Sequence, residues 1–91
     1  MQPAERREWI ERTLAIALEP EAIEVEDESH LHRGHAGAAG GGGHFRVRVV
    51  SGRFRDRSRL ERHRIVYGAL AVEMGSGIHA LALETLTPEE A

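Results

Sequence analysis

The sequence of 91 residues contains no cysteine and no lysine, and only 4% of its residues are aromatic. Without thiols the chain forms no disulfide, has no cysteine nucleophile, and holds neither zinc nor an iron–sulfur cluster through thiolates of its own. Any soft-metal ligand must therefore come from the six histidines. The scarcity of aromatic side chains also weakens the case for a nucleic-acid site built on base stacking.

Long hydrophobic runs are missing as well. No apolar stretch approaches the roughly 20 residues that a membrane helix needs, and residues 1–8 are polar where a secretory signal would be apolar. We therefore expect a cytoplasmic protein without membrane attachment. With 41% hydrophobic and 30% charged residues, the composition is that of one globular domain over residues 1–91.

Positive charge is concentrated in the middle of the chain. Residues 46–64 carry eight arginines against two acidic residues, whereas the flanking blocks 1–45 and 65–91 have net charges of −5 and −4. Such a local excess attracts phosphate groups or an acidic protein surface. The candidate residues for contact with a partner or with nucleic acid are Arg53, Arg55, Arg57, Arg59, Arg62, Arg64 and His63.

Hydrophobic periodicity predicts two helices and three strands in the order αββαβ, with the first two strands paired antiparallel. Ser58 and Glu61 have the spacing of a capping box at the start of the second helix, and a C-cap is expected at Gly75. The predicted elements are a helix over Ala4–Leu18, strands over Ala22–Glu26 and His44–Ser51, a helix from Ser58 to Gly75, and a strand over Ile78–Leu83.

Four other segments have compositions of their own. Ser29–Gly43 contains six glycines and three histidines, and we expect a mobile loop because ordering glycine is entropically costly. Arg53–Ser58 is too polar and irregular to contribute to the core. The run Ile78–Leu83 is apolar on both faces, which predicts a strand covered on both sides. Thr87 is expected to begin one last helical turn.

The histidines occupy three places that a fold could bring together. Neutral imidazole is a suitable ligand for zinc, copper and iron, but the spacing of these residues does not by itself separate a metal site from polar residues in a loop. A histidine inside an apolar strand must find a hydrogen-bond partner, face another molecule or bind a ligand. The residues concerned are His30, His32 and His35 in the loop, His44 at its exit, and His79 in the last strand.

The sequence gives little support for catalysis. No nucleophile elbow, phosphate-binding loop or dinucleotide fingerprint occurs. Asp27 and Glu28 are adjacent at the end of a strand, so their side chains point to opposite faces and do not form an acid–base pair. His63 lies between two arginines in the second helix and is interpreted as a structural or surface histidine. We expect a protein that is not an enzyme.

Taken together and in this order, several motifs resemble those of the BolA-like family over nearly the whole chain. The resemblance implies an α+β domain of αββαβ order with a three-stranded sheet, related to the class II KH fold, over residues 1–91. The matching residues are Asp27-Glu28-Ser29 with His32, His44-Phe45-Arg46-Val47, Arg53-Phe54, Leu60 with Arg62-His63-Arg64, Val66-Tyr67, Leu70, and Ile78-His79-Ala80-Leu81-Ala82-Leu83.

The same resemblance implies a partner and a shared cofactor. BolA-like proteins pair with monothiol glutaredoxins that carry a CGFS motif, and a bridging 2Fe-2S cluster takes thiolates from the glutaredoxin and from glutathione. The family's C-terminal cluster histidine falls on His79, and its variable loop ligand falls on His32. Because the loop between the first two strands is longer and richer in glycine than in relatives, His35 is an alternative to His32.

A second function from a different class stays open. Some relatives of the family regulate transcription, and the basic segment Arg53–Arg64 could face phosphate in DNA or RNA. The GxxG loop with which KH domains clamp a nucleic-acid backbone is absent between the helices, and the net charge of the chain is −3.

Overall fold

The computed structural model describes residues 2–29 and 43–91. The predicted order αββαβ and the α+β fold class are confirmed, with a short 3-10 turn added after the second strand. The observed bounds are α1 Pro3–Leu18, β1 Ala22–Asp27, β2 Gly43–Val50, a 3-10 turn at Gly52–Phe54, α2 Arg59–Ala69 and β3 Ile78–Leu86.

The three strands form one mixed sheet in the order β1-β2-β3. β1 and β2 are antiparallel, as predicted, with Ala22 opposite Val50 and Asp27 opposite Phe45. β3 lies parallel to β2. A parallel neighbour requires the chain to cross from one end of the sheet to the other, and α2 makes that crossing. β2 and β3 therefore begin at the same end of the sheet.

The core lies between the helices and one face of the sheet. α1 buries Ile10, Leu14 and Leu18, which recur every four residues and are at most 1% exposed. Val47 and Val49 on β2 are fully buried opposite them. The other residues of this core cluster are Val25, Phe45, Phe54, Val66, Leu70 and Ile78.

Phe54 corrects the prediction that Arg53–Ser58 contributes nothing to the core, because its side chain is fully buried. Ser51 accepts a hydrogen bond from the backbone N–H of Arg53 (3.1 Å) and so starts the 3-10 turn. The turn directs the aromatic ring inward while the polar neighbours stay exposed. The sequence did not predict the burial of Phe54, because only this one residue of a polar segment points to the core.

The second helix begins as predicted and ends earlier than predicted. Ser58 caps it, and the capping box with Glu61 is complete in both directions at 3.1 and 2.8 Å. The helix stops at Ala69, six positions before the predicted end at Gly75, and residues 70–77 form consecutive turns. Gly75 lies within those turns at φ 84°, a conformation that favours glycine, but it caps no helix.

β3 is three residues longer than predicted and is not covered on both faces. His79, Ala82 and Glu84 are exposed, whereas Ile78 and Thr85 are buried against the helices. The apolar run misled the prediction because alanine is small enough to tolerate an open face. Thr87 does begin a final turn, with the backbone N–H of Glu90 donating to the Thr87 carbonyl at 3.0 Å.

The predicted mobile loop over 29–43 falls almost entirely outside the described residues. Its two ends are described and belong to ordered elements. Ser29 donates its backbone N–H to the Asp27 carboxylate at 2.9 Å, and its hydroxyl accepts from the backbone N–H of His44 at 3.1 Å. Gly43 is the first residue of β2. Among the described segments, no helix is long and apolar enough to cross a membrane.

Candidate functional site

The structure brings His44 and His79 together at the start of β2 and β3. Their ring centroids are 5.3 Å apart and the ring planes are tilted by 47°. His79 is exposed and His44 is half-buried. Because the two strands are parallel, residues near their amino ends meet at one edge of the sheet although 35 positions separate them in the sequence.

An irregularity in the sheet turns His79 outward. Gly43 is opposite Ile78 on β3, whereas the next residue, His44, is opposite Ala80. His79 is therefore one extra residue in β3, which is a β-bulge. Ile78 and Leu81 both contact the core although they are three positions apart in the strand, an odd spacing, so the bulge changes the alternation of side chains at His79. Bulges of this kind re-aim a side chain at a site.

The spacing of the two rings fits a shared metal ligand set. Two imidazoles bound to one tetrahedral metal ion through nitrogen–metal bonds of about 2.1 Å place their centroids about 5 Å apart. The observed centroid separation of 5.3 Å is compatible with this value, and the Nε2 of His44 is buried. Within the described ranges 2–29 and 43–91, no group of three or more metal-ligating side chains occurs. The pair would therefore need further ligands from outside these residues.

The two predicted loop ligands, His32 and His35, lie outside the described residues. Of the predicted cluster ligands, the structure places only His79. His44 was grouped with the other histidines by sequence but was not predicted as a ligand. The signal for it was its position at the start of a strand, which becomes informative only once the pairing of β2 with β3 is known.

A shallow depression of about 250 Å³ adjoins the histidine pair. Ala80 and Ala82 line it from β3, and His44 and Arg46 line it from β2. The Nε of Arg46 donates to the Glu28 carboxylate at 3.1 Å on the same rim. The small side chains of Ala80 and Ala82 leave this depression open next to His44.

Most arginines of the basic segment are paired with acids, three of which lie outside the segment. Four of its six arginines from 53 to 64 form ion pairs, two of them with carboxylates at the C-terminal end. These partners are Glu19 for Arg53, Glu89 for Arg55 at 2.6 Å, Glu61 for Arg57 at 3.8 Å and Glu90 for Arg62 at 2.6 Å.

The pairing also shifts acid–base equilibria. A hydrogen bond from Arg62 lowers the pKa of Glu90 to about 2, and one from Arg55 lowers the pKa of Glu89. The pKa of Arg55 is raised by the same contact. Hydrogen bonds from the backbone and hydroxyl of Ser58 lower the pKa of Glu61. These hydrogen bonds favour the ionised form of each carboxylate, which is the form that compensates the arginines.

Only part of the predicted basic surface is left for a partner. Among the described residues, Arg59 and Arg64 form no ion pair. Arg59 and His63 are four residues apart on α2 and line one open groove of about 470 Å³ between α2 and β3. His63 is half-buried there. The structure thus divides the predicted basic segment into paired arginines and two unpaired ones.

Comparison with known proteins gives a consistent result. A sequence profile described as BolA-like protein matches residues 14–90. The chain is 48% identical over 81 residues to human BolA-like protein 1, covering 89% of this chain and 57% of that protein. It is 45% identical over 84 residues to the DNA-binding transcriptional regulator BolA of Escherichia coli, covering 92% and 77% of the two chains.

Solved structures agree with the sequence comparison. The BolA domain of SufE1 from Arabidopsis thaliana superposes with a TM-score of 0.84 at 40% identity, covering 94% of this chain and 95% of that one. The fold described above is therefore that of a solved BolA domain that is 40% identical in sequence.

Proposed function

The chain belongs to the BolA-like protein family, and on that basis we propose that it is a non-enzymatic partner of a monothiol CGFS glutaredoxin. The two proteins would share a bridging 2Fe-2S cluster in iron–sulfur cluster trafficking or iron and redox regulation. The structural observation that carries this proposal is the 5.3 Å separation between the ring centroids of His44 and His79.

The composition of the chain supports a cluster that is shared with a second protein. With no cysteine among its 91 residues, this protein can offer imidazole ligands only, and iron–sulfur clusters normally take most of their ligands as thiolates. Glutaredoxin and glutathione would supply those thiolates. Two histidines on one iron are known from Rieske centres, where they raise the reduction potential above that of thiolate-ligated clusters.

On this chain, His79 is the first proposed ligand because the bulge holds it exposed at the edge of the sheet. The second imidazole is His32, with His35 as the alternative from the loop. His44 is a further candidate because its ring already has a spacing from His79 that suits tetrahedral iron. The depression beside His44 gives a partner a place to approach this edge of the sheet, and the side chain of His79 is exposed there.

The test is to mix the purified protein with a cluster-loaded CGFS glutaredoxin and glutathione, and to record visible circular dichroism. Addition of the wild type is expected to change the spectrum of the glutaredoxin cluster, since an imidazole replaces one of its ligands. His79→Ala should abolish that change. Single replacements of His32, His35 and His44 by alanine identify the second ligand as the one whose loss alters the spectrum most.

Arg12→Ala is the control, because Arg12 is exposed on α1 and belongs neither to the histidine site nor to the basic segment. It should behave as the wild type. A spectrum that stays unchanged when wild-type protein is added would show that no cluster is shared. A spectrum that changes equally with wild type and His79→Ala would remove His79 from the ligand set.

A second candidate function, binding of DNA or RNA, is favoured by one observation from the structure. Arg59 and Arg64 carry no compensating acid among the described residues, and Arg59 lines the groove beside β3. A relative from Escherichia coli is named a DNA-binding transcriptional regulator. The four ion-paired arginines of the basic segment make this candidate the weaker one.

A further inference from the structure

Arg6 on α1 and Glu73 in the turn before β3 form a half-buried ion pair whose position relates to the histidine site. The Nε of Arg6 lies 3.9 Å from the Glu73 carboxylate, and the two side chains are only 13% and 20% exposed. This pair therefore ties the first turns of α1 to the segment that enters β3. The ligand assignments above do not use it.

Glu73 is also the centre of the turn through its backbone. Its carbonyl accepts the N–H of Ile78 at 2.8 Å, the N–H of Ser76 at 3.2 Å and the hydroxyl of Ser76 at 3.3 Å. Ile78 is the residue directly before His79. The place where β3 begins, and so the place of the bulge, depends on how this one residue is held.

Gly77 lies directly under the ion pair. A Cβ at this position would clash with the Glu73 carboxylate and would come within 2.5 Å of the Nε of Arg6, so the two side chains rest on bare backbone. The carbonyl of Gly77 accepts the N–H of Gly43 at 3.0 Å. Gly43 precedes His44, and this hydrogen bond therefore joins the entrances of the two strands that carry the histidines.

We infer that Arg6 and Glu73 are positioning residues that set the spacing of His44 and His79. The ion pair packs over Gly77, and Gly77 is hydrogen-bonded to Gly43. Gly43 directly precedes His44, and Gly77 lies two positions before His79, so this hydrogen bond fixes the backbone that carries both rings. The inference rests on the proposed function, in which His79 binds a shared cluster and His44 is a further candidate ligand. Residues behind metal ligands commonly orient them in this way.

The first test uses the isolated protein and NMR. Arg6→Met removes the charge with little change in size, and Arg6→Lys restores a charge at the same place. In Arg6→Met the nuclear Overhauser contacts between the rings of His44 and His79 should be lost, and the amide signals of Gly77 and Gly43 should shift. Arg6→Lys should restore much of the wild-type pattern. Urea unfolding of each variant separates a local change from a loss of folding.

Arg12→Met is the matched control, since Arg12 is an exposed arginine on the same helix with no ion pair among the described residues. It should leave the ring contacts unchanged. Glu73→Gln removes the other charge of the ion pair and keeps the size and the backbone hydrogen bonds of Glu73. If Arg6→Met does not fold, the ring contacts are measured in this variant instead. Unchanged ring contacts in both Arg6→Met and Glu73→Gln would overturn the inference.

The second test uses the complex with glutaredoxin. Loss of the ion pair should weaken cluster sharing, followed by visible circular dichroism during titration, by at least about 10-fold, with rescue by Arg6→Lys. Cluster sharing that is equal in wild type and Arg6→Met would count against the inference. If the wild type shares no cluster, the proposed function fails, whereas the NMR comparison still decides whether the ion pair positions the rings.

Discussion

The buried hydroxyl of Ser51 connects two elements of the fold through hydrogen bonds. Its side chain is fully buried, donates to the Leu18 carbonyl at 2.6 Å and accepts from the Arg53 N–H at 3.1 Å. The hydroxyl therefore satisfies the end of α1 and the start of the 3-10 turn together. Few other residues could replace both hydrogen bonds.

Ser51→Ala should lower the free energy of unfolding by about 1–3 kcal/mol, because the buried Leu18 carbonyl and the part-buried Arg53 N–H lose their partner. Urea unfolding followed by circular dichroism measures this change. Ser76→Ala is the control, since that hydroxyl is exposed and makes one longer hydrogen bond of 3.3 Å. Equal losses in the two variants would contradict the importance given to burial.

Glu90 gives a prediction about pH. Its pKa is lowered from 4.5 to about 2 by Arg62, so the folded state favours the ionised form. The stabilisation is fully present above pH 4.5, where the carboxyl is ionised even in the unfolded chain, and is lost as the pH falls towards 2. The difference in urea midpoint between wild type and Glu90→Gln should therefore shrink over this window. If the difference in urea midpoint stays constant from about pH 6 to about pH 2, Arg62 does not stabilise the ionised form of Glu90 in the folded state.

At the scale of elements, the free edge of β3 is covered by side chains from α2. The Tyr67 hydroxyl donates to the Leu81 carbonyl at 3.2 Å, and Arg62 donates to the Thr85 carbonyl at 3.1 Å. β3 is the last strand of the sheet, and exposed edges are sites at which strands of other chains pair. These two residues therefore protect the edge on the side away from β2.

The double variant Tyr67→Phe/Arg62→Leu should uncover the edge and increase self-association relative to the wild type. Sedimentation velocity over a range of concentrations measures it. Arg64→Leu is the control, because it makes the same change of charge on the same helix at a residue with no ion pair among the described residues. If the control self-associates as much as the double variant, added hydrophobic surface and not the uncovered edge is the cause.

At the scale of the whole molecule, charge pairing limits any binding of nucleic acid. The logarithm of affinity for duplex DNA falls with the logarithm of salt concentration by about 0.9 for each phosphate neutralised. With Arg59 and Arg64 as the unpaired arginines of the basic segment, the slope should be no steeper than about −2. Fluorescence anisotropy with labelled DNA at several salt concentrations measures it.

The double variant Arg59→Gln/Arg64→Gln should remove the residual binding, and Arg12→Gln should not. A slope steeper than about −4 would mean that arginines now bound to glutamates exchange those partners for phosphate. That outcome would favour nucleic-acid binding over cluster sharing as the main use of this surface.

The sequence by itself determined the elements whose signals are local. Ser58 and Glu61 specify the start of α2 because both partners of the capping box lie within one helical turn. The alternation in β1 and β2 specifies one buried face, so their pairing was predictable. The exception among local signals was Phe54, where a single inward residue in a polar segment depends on the turn made by Ser51.

Only the tertiary structure decided which distant residues meet. The sequence placed His44 and His79 on two strands. The 5.3 Å separation of their ring centroids depends on the parallel pairing of those strands and on the bulge. The sequence also showed a basic block between acidic ones, whereas the pairing of Arg62 with Glu90 depends on where the C-terminal turn packs. Hydrophobic periodicity predicts which face of a helix or strand is buried, because each residue contributes its own hydrophobicity to that pattern. Strand register and long-range ion pairs depend instead on contacts between elements, which the local pattern does not contain.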